Sequence, residues 1–203
     1  MIEKGAVLPM LYLPPVAYFT KLNAYKPDIL IESQEHFPKQ TYRNRANIYS
    51  PDGMLTLTVP VVKGSKMHTN IKDVKISYDF KWQRLHWMSL ETCYRGSAYF
   101  EYYEDDFAPF YQKHFAYLFD YNEQLLQMLL KFIKINLPLQ YTETYAAGYP
   151  GLNDYRDSIT PKKEFDFEQK PYFQVFDERN GFIKNLSIID LLFNQGPQTI
   201  NYL

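Results

Sequence analysis

Two apolar runs flank a proline pair and a helical stretch at the start of this 203-residue chain, and that order leaves few folds open. The first run, Gly5-Ala-Val-Leu-Pro-Met-Leu-Tyr-Leu, is cut at Pro14-Pro15. Proline fixes φ and lacks an N–H, so a helix begins after the pair but does not run through it. From Val16 the period is helical: Tyr18, Leu22 and Tyr25 share a stripe, and Phe19 widens it. Pro27-Asp28 ends the helix. Ile29-Leu-Ile31 follows as a short, continuous apolar strand of the kind buried on both faces. Strand, turn, helix, strand predicts a parallel βαβ unit, and hence an α/β fold.

Further along, Ala46–Tyr49 and Met54–Val62 flank Ser50-Pro-Asp-Gly53. Asp-Gly between two β-rich runs predicts a hairpin, and Leu55, Leu57 and Val59 alternate with Thr56 and Thr58. Parallel and antiparallel pairing together predict a mixed sheet. Gly64-Ser-Lys reads as a loop and residues 71–78 as a further strand. From Trp82 the period turns helical. One helix carries Leu85, His86, Leu90 and Cys93. A second, capped by Asp105 or Asp106, carries Phe107, Phe110, Tyr111 and Leu118, and a third runs over residues 121–135. Residues 139–181 show no period and are punctuated by Pro150, Pro161 and Pro171. They are too long for an ordinary connection, so they are either partly mobile or a binding loop. Residues 171–176 read as a strand or a lid, and Asn185 as the cap of a last helix. The expected organisation is one domain over 1–203: an α/β half (1–80), a helical part (81–138), and an irregular Tyr-rich segment with a terminal helix (139–203).

Composition excludes several classes. Lys plus Arg (22) balance Asp plus Glu (23), so no basic field argues for nucleic acid. The single Cys93 rules out an internal disulfide framework and a Cys-rich zinc site. No apolar stretch reaches the roughly 20 residues that span a bilayer, and the start lacks a secretory core, so the expected location is cytoplasmic. Aromatic residues make up 18%, with 19 tyrosines. Many of these, including Tyr12, Tyr42, Tyr102, Tyr103, Tyr145 and Tyr172, fall at element ends, where a ring packs while its hydroxyl stays wet or meets a ligand.

The familiar catalytic and nucleotide-binding motifs are absent, and the four histidines stand at no metal-ligand spacing, so no metal or cofactor is implied. The densest constellation is Lys39-Gln-Thr-Tyr-Arg-Asn-Arg45, preceded by Glu32 and Glu35. Two guanidiniums, an ammonium and the amides of Gln40 and Asn44 suit a phosphate or carboxylate, and the location just past a strand suits it too. On an extended stretch Lys39, Thr41, Arg43 and Arg45 all point one way. The plainer alternative is a solvated edge whose arginines pair with nearby glutamates. Trp82 and His86 form the second candidate. Four residues apart on a helix they share a face, which suits stacking plus proton transfer, or simply a hydrogen-bonded core histidine.

Several of these stretches together are similar to a known family. Tyr12-Leu-Pro-Pro-Val-Ala-Tyr-Phe, Lys39-Gln-Thr-Tyr-Arg-Asn-Arg, Leu57-Thr-Val-Pro-Val, Trp82 with His86, and Asn185-Leu-Ser-Ile-Ile-Asp-Leu-Leu-Phe-Asn194 resemble the WbqC-like family, and its Bacteroidetes branch most closely. Many members read Gln-Pro-x-x-x-Pro near the start, where this chain has Tyr12-Leu-Pro-Pro. The resemblance implies a bacterial protein linked to O-antigen and other surface-polysaccharide gene clusters, and puts Arg43, Asn44, Arg45, His86, Ser187 and Asp190 on motif positions. At the level of fold, the first βαβ unit looks Rossmann-like and faintly like the nucleotidylyltransferases. The His-x-x-His chemistry of those enzymes has no counterpart at Pro15-Val-Ala-Tyr-Phe.

Two functions follow as expectations. One is a transferase acting on a nucleotide-linked sugar or another anionic small molecule. Lys39, Gln40, Arg43, Asn44 and Arg45 would hold the anion, Tyr12, Tyr42 or Trp82 would stack on sugar or base, and His86 would move the proton. The other is a non-catalytic, partner-binding module, such as a homodimer, since tyrosine and tryptophan concentrate at interfaces.

Overall fold

The computed structural model describes residues 5–62 and 68–203; the loop expected at Gly64-Ser-Lys lies outside them. Strand β1 (Gly5–Pro9) leads through the Pro14-Pro15 turn into helix α1 (Val16–Tyr25) and on to β2 (Ile29–Glu32). β1 and β2 pair in parallel, with Ala6 opposite Ile29 and Leu8 opposite Ile31. The predicted βαβ unit is therefore present, and α1 buries Tyr18, Phe19 and Leu22 of the expected stripe. Gly5 opens β1 because nothing larger fits: a Cβ there would stand 2.5 Å from the Asp28 carbonyl and 2.8 Å from a Leu152 methyl.

The sheet has four parallel strands in the order β5–β2–β1–β6, its outer strands being β5 (Gln140–Tyr141) and β6 (Leu152–Asp154). Strands β3 (Arg45–Ser50) and β4 (Gly53–Thr58) form the expected hairpin, but as a separate antiparallel pair. The α/β class and single domain hold, while the parallel and antiparallel pairings, expected in one mixed sheet, are divided between two sheets.

Helices α2 (Trp82–Tyr94), α3 (Phe100–Gln112) and α4 (Leu118–Ile133) make the helical layer. α3 begins at Phe100, five residues before the expected aspartate cap. Its buried stripe is Phe100, Tyr103, Phe107 and Tyr111, which leaves Asp105 and Asp106 on the outer face. Leu118 belongs to α4. The expected strand at 71–78 is instead a short 3-10 turn, Ile71–Asp73, capped by the Asn70 side chain. Beyond it, backbone groups are taken singly on two sides: Val62 N–H donates to the Lys75 carbonyl, and Ile76 N–H donates to that of Ala116. No ladder forms.

Residues 139–181 are mostly irregular. They supply β5, β6 and the four-residue helix α5 (Asp177–Asn180), and 171–176 run without strand pairing. The closing helix α6 (Ile188–Gln195), followed by a 3-10 turn to Tyr202, is capped by Ser187, whose hydroxyl accepts from Ile189 N–H. Asn185 caps a different helix: its Oδ1 accepts from Ala17 N–H, 3.0 Å away, in the first turn of α1. Around it Val16 N–H donates to Leu186 O, Ile188 N–H to Pro14 O and Ser187 N–H to Asn47 O. The last segment thus ties the proline turn to the hairpin.

Aromatic packing fills the layer between helices. The Phe193 ring makes edge contacts with Tyr94, Phe100 and Phe107, each at 5.2 Å between centroids. Tyr12, Tyr42, Tyr103 and Tyr172, expected at wet element ends, are buried, whereas Tyr102 and Tyr145 are exposed. No described helix is long and apolar enough to cross a membrane.

Candidate functional site

Ligands of open α/β sheets gather beyond the carboxyl ends of the strands. In this chain that position is filled by its own side chains. Glu32, the last residue of β2, is fully buried. It accepts from the Thr142 hydroxyl at 2.8 Å, Gln34 N–H at 2.7 Å and Arg156 Nη1 at 2.8 Å. Arg156 follows β6, and its remaining donors go to Asp154 and to the carbonyls of Ala146 and Ala147. The rings of Tyr145 and Tyr149 lie 5.3 and 5.1 Å from its guanidinium carbon. Burial pushes the Asp154 carboxyl up, but hydrogen bonds and charge from Arg156 outweigh it and hold the group below its ordinary value.

Arg43 belongs to the same network. Its Nε and Nη2 grip Glu35 at 2.9 and 2.7 Å, and Nη2 also donates to the Arg156 carbonyl. Burial raises the Glu35 carboxyl above its ordinary range in spite of that guanidinium. The reading of Arg43 and Arg45 as pointing one way assumed an extended stretch. Gln40 instead has φ +60°, and Asn44 N–H donates to the Thr41 carbonyl, so a turn breaks the alternation.

Arg45 consequently has different surroundings. It opens β3, half-buried, opposite Thr58 of β4. Its Nε is buried without a hydrogen-bond partner, and no carboxylate pairs with it among the described residues. On the same face of the strand lies Asn47, whose amide donates to the Tyr42 hydroxyl at 3.4 Å and accepts from Thr56 Oγ1 at 2.8 Å. Asn44 donates to the Val59 carbonyl and leaves its own buried Oδ1 free. Lys39 and Gln40 are exposed on the preceding turn.

Tyr12, Trp82 and His86 come together, as the helical spacing of the last two suggested. The Trp82 and His86 rings meet edge to face at 5.0 Å, and the Tyr12 hydroxyl lies 3.1 Å from His86 Nδ1 and 3.1 Å from the Tyr111 hydroxyl. His86 is 6% exposed. Burial lowers its pKa to about 4, while a hydrogen bond to the Thr58 backbone works the other way. A ring proton on Nε2 leaves Nδ1 free to accept. Nδ1 is then the acceptor for Tyr12, whose oxygen accepts in turn from Tyr111. Near neutral pH this is a neutral imidazole at the end of a phenol chain. Thr58 links the two candidate groups: it is the register partner of Arg45 and the backbone partner of His86.

Sequence reasoning overlooked two centres. Glu32 with Arg156 joins residues 124 apart, and no local pattern announces such a pair. Asp190, noted only as a motif position, is fully buried on α6. It accepts from the hydroxyls of Tyr94 and Tyr172 at 2.9 and 2.7 Å and from Gln174 Nε2 at 2.8 Å. Burial pushes its pKa up to about 6 against those three donors. Neighbouring Cys93 is raised to about 11, by burial first and the Asp190 charge second, which keeps it a thiol. Among the described residues no three His, Cys, Asp or Glu side chains converge as metal ligands.

A family model for the WbqC-like proteins matches residues 10–156, most of the chain, from the first turn to Arg156. The chain belongs to the WbqC-like protein family. This WbqC-like chain is also 27% identical to an uncharacterized protein of Mycobacterium tuberculosis, over 232 aligned positions covering 100% of this chain and 98% of the relative. No solved structure matches it. The family match takes in Tyr12, Arg43, Arg45, Trp82, His86 and both halves of the Glu32–Arg156 pair, and stops before Asp190.

Proposed function

We propose that this WbqC-like protein binds an anionic small molecule of the nucleotide-linked sugar class on the Arg45 face of the hairpin. It would act there as a transferase in surface-polysaccharide synthesis. The observation that carries the reading is the state of Arg45, a half-buried guanidinium with a buried, unbonded Nε and no carboxylate partner among the described residues. A guanidinium in that state favours a carboxylate or phosphate that completes its fork. Arg43, by contrast, is committed to Glu35. Tyr42 and Asn47 lie beside the same strand, bonded to each other, and Lys39 is exposed on the preceding turn. His86, neutral near pH 7, is suited to accept a proton through Tyr12.

A thermal-shift and calorimetric panel of nucleoside diphosphates and nucleotide sugars tests the reading. At least one ligand should raise the melting temperature of the native chain, since a ligand bound only to the folded state stabilises it by mass action. Arg45→Ala should melt at the native temperature without ligand and lose that shift. If no ligand of the class binds, or if Arg45→Ala binds as tightly, the proposal fails.

A second reading, a non-catalytic binding module, is favoured by the enclosure of His86 among Trp82, Tyr12 and Tyr111. Turnover separates the two readings. His86→Gln should bind the ligand and lose group transfer if the protein is an enzyme, whereas a module binds and never turns over.

A further inference from the structure

His36 and His68 stand at no metal-ligand spacing in sequence, yet the fold brings their rings to 5.1 Å between centroids. The segment that follows β2 and the segment that leads into the 3-10 turn at Ile71 run antiparallel here. Phe37 N–H donates to the Thr69 carbonyl and Ile71 N–H to that of Glu35, each at 2.9 Å, which sets His36 opposite Asn70. Asn70 holds this register from the side. Its amide donates to the Gln34 carbonyl at 3.3 Å, and its side-chain oxygen accepts from Lys72 N–H at 2.9 Å. Side chains two positions apart on an extended segment share a face, so His68 lies diagonally across from His36. Glu35, one residue earlier, turns the other way, into its buried pair with Arg43. Both histidines are exposed.

The separation of the rings is the one that a shared tetrahedral ion requires. An imidazole lone pair points outward along the line from the ring centre through the nitrogen. A nitrogen–zinc bond of about 2.0–2.1 Å, with about 1.2 Å more to the ring centre, puts the ion about 3.2 Å from each centroid. At the tetrahedral angle the two centroids then stand about 5.2 Å apart, and at the right angle of a square-planar ion about 4.5 Å. The observed 5.1 Å matches the tetrahedral case. The ring planes are tilted by 40°, not stacked, and at exposed positions each ring can turn to present a nitrogen to the shared point. No third histidine, cysteine or carboxylate joins them among the described residues, which leaves the remaining positions to water.

We propose that His36 and His68 form a two-histidine chelate for a divalent ion of tetrahedral preference, Zn²⁺ above all. The ion staples the segment that carries Glu35 to the turn at Ile71–Asp73. It thereby fastens from outside the backbone on which the Glu35–Arg43 pair hangs. With two protein ligands in place of four, the ion is held less tightly than at a closed structural site and exchanges with solution.

Calorimetric titration of the full-length chain with Zn²⁺, at neutral pH in a buffer that does not bind the metal, tests this. One ion should bind per chain. The melting temperature should rise with it and return to its starting value when EDTA is added. His36→Gln and His68→Gln, both at exposed positions, should each weaken binding at least tenfold with an unchanged urea midpoint in the absence of metal. His114→Gln removes another exposed histidine, stacked on Tyr78 at 4.0 Å, and should leave the affinity as it is. Absence of saturable binding overturns the proposal, as does native affinity in either chelate variant or an equal loss in His114→Gln. So does one ion per two chains with a zinc-dependent dimer in sedimentation, which would place the metal between copies.

Discussion

The Arg43 guanidinium closes a two-pronged ion pair on Glu35, with 1% and 8% of the two side chains exposed. A buried pair of this geometry holds register more than it adds stability, because desolvating both charges offsets most of their attraction. Removing one partner is another matter. Arg43→Met leaves Glu35 buried beside Glu32 without a counter-charge, and the expected loss in urea unfolding is about 3–5 kcal/mol. Arg43→Met/Glu35→Leu should recover much of it. A double variant as unstable as the single would show that the guanidinium matters through its bond to the Arg156 carbonyl instead.

Two buried groups give opposite pH dependences of stability. His86 falls from an ordinary 6.5 to about 4 on folding, so between those values the unfolded chain holds the extra proton and stability rises with pH. Asp190 rises from 3.8 to about 6, so over that window the folded chain holds the extra proton and stability falls with pH. Each contribution is about 3 kcal/mol by the linkage relation, and the two nearly cancel between about pH 4 and 6. Urea midpoints followed from pH 4 to 6.5 should therefore fall with pH in His86→Gln and climb in Asp190→Asn. The groups facing Asp190 are Tyr94, Tyr172, Gln174 and Cys93, and none of these carries a positive charge. Parallel curves for both variants and the native chain would refute the assignment.

What the sequence made legible follows from the range over which each signal acts. The βαβ unit, the hairpin and helices α2 and α4 rest on periods and turn residues within about fifteen positions, and all were read. Trp82 and His86 share a face because they are one helical turn apart, whereas nothing local in the sequence ties Tyr12 to them. Strands β5 and β6 are two and three residues long, too short to show a period of two, and exist because β2 and β1 offer open edges. Arg43 and Arg45 looked equivalent in sequence. The turn at Gln40 and Thr41 separates them, so one is held by Glu35 and the other has no carboxylate partner among the described residues.

Asn185 supports helix α1 from the far end of the chain. It stands at φ +59° and accepts from Ala17 N–H, so it satisfies an orphan donor that Pro15, at the cap position, has no side-chain oxygen to meet. Asn185→Gly keeps the left-handed conformation and loses only the cap, with an expected cost of about 1 kcal/mol. Asn185→Ala loses the cap and also strains the backbone, and should be the less stable of the two. If both variants unfold at the native midpoint, the 3.0 Å contact carries no stability.

Gly196 meets a double constraint where α6 ends. Its φ of +52° with ψ of −129° is a conformation that residues with a Cβ rarely adopt, and a Cβ there would stand 2.5–2.6 Å from three carbons of the Tyr99 ring. Tyr99 is held in turn, since its N–H donates to the Phe193 carbonyl at 2.9 Å, so the backbone that carries the ring has little room to retreat. Gly196→Ala should therefore cost about 1–3 kcal/mol from backbone strain, with the ring clash in addition. Gly196→Ala/Tyr99→Ala separates the two causes. It removes the clash and keeps the strain, so the added penalty of the glycine change should be smaller in the Tyr99→Ala background than in the native chain. A penalty of the same size in both backgrounds would assign the whole effect to the backbone.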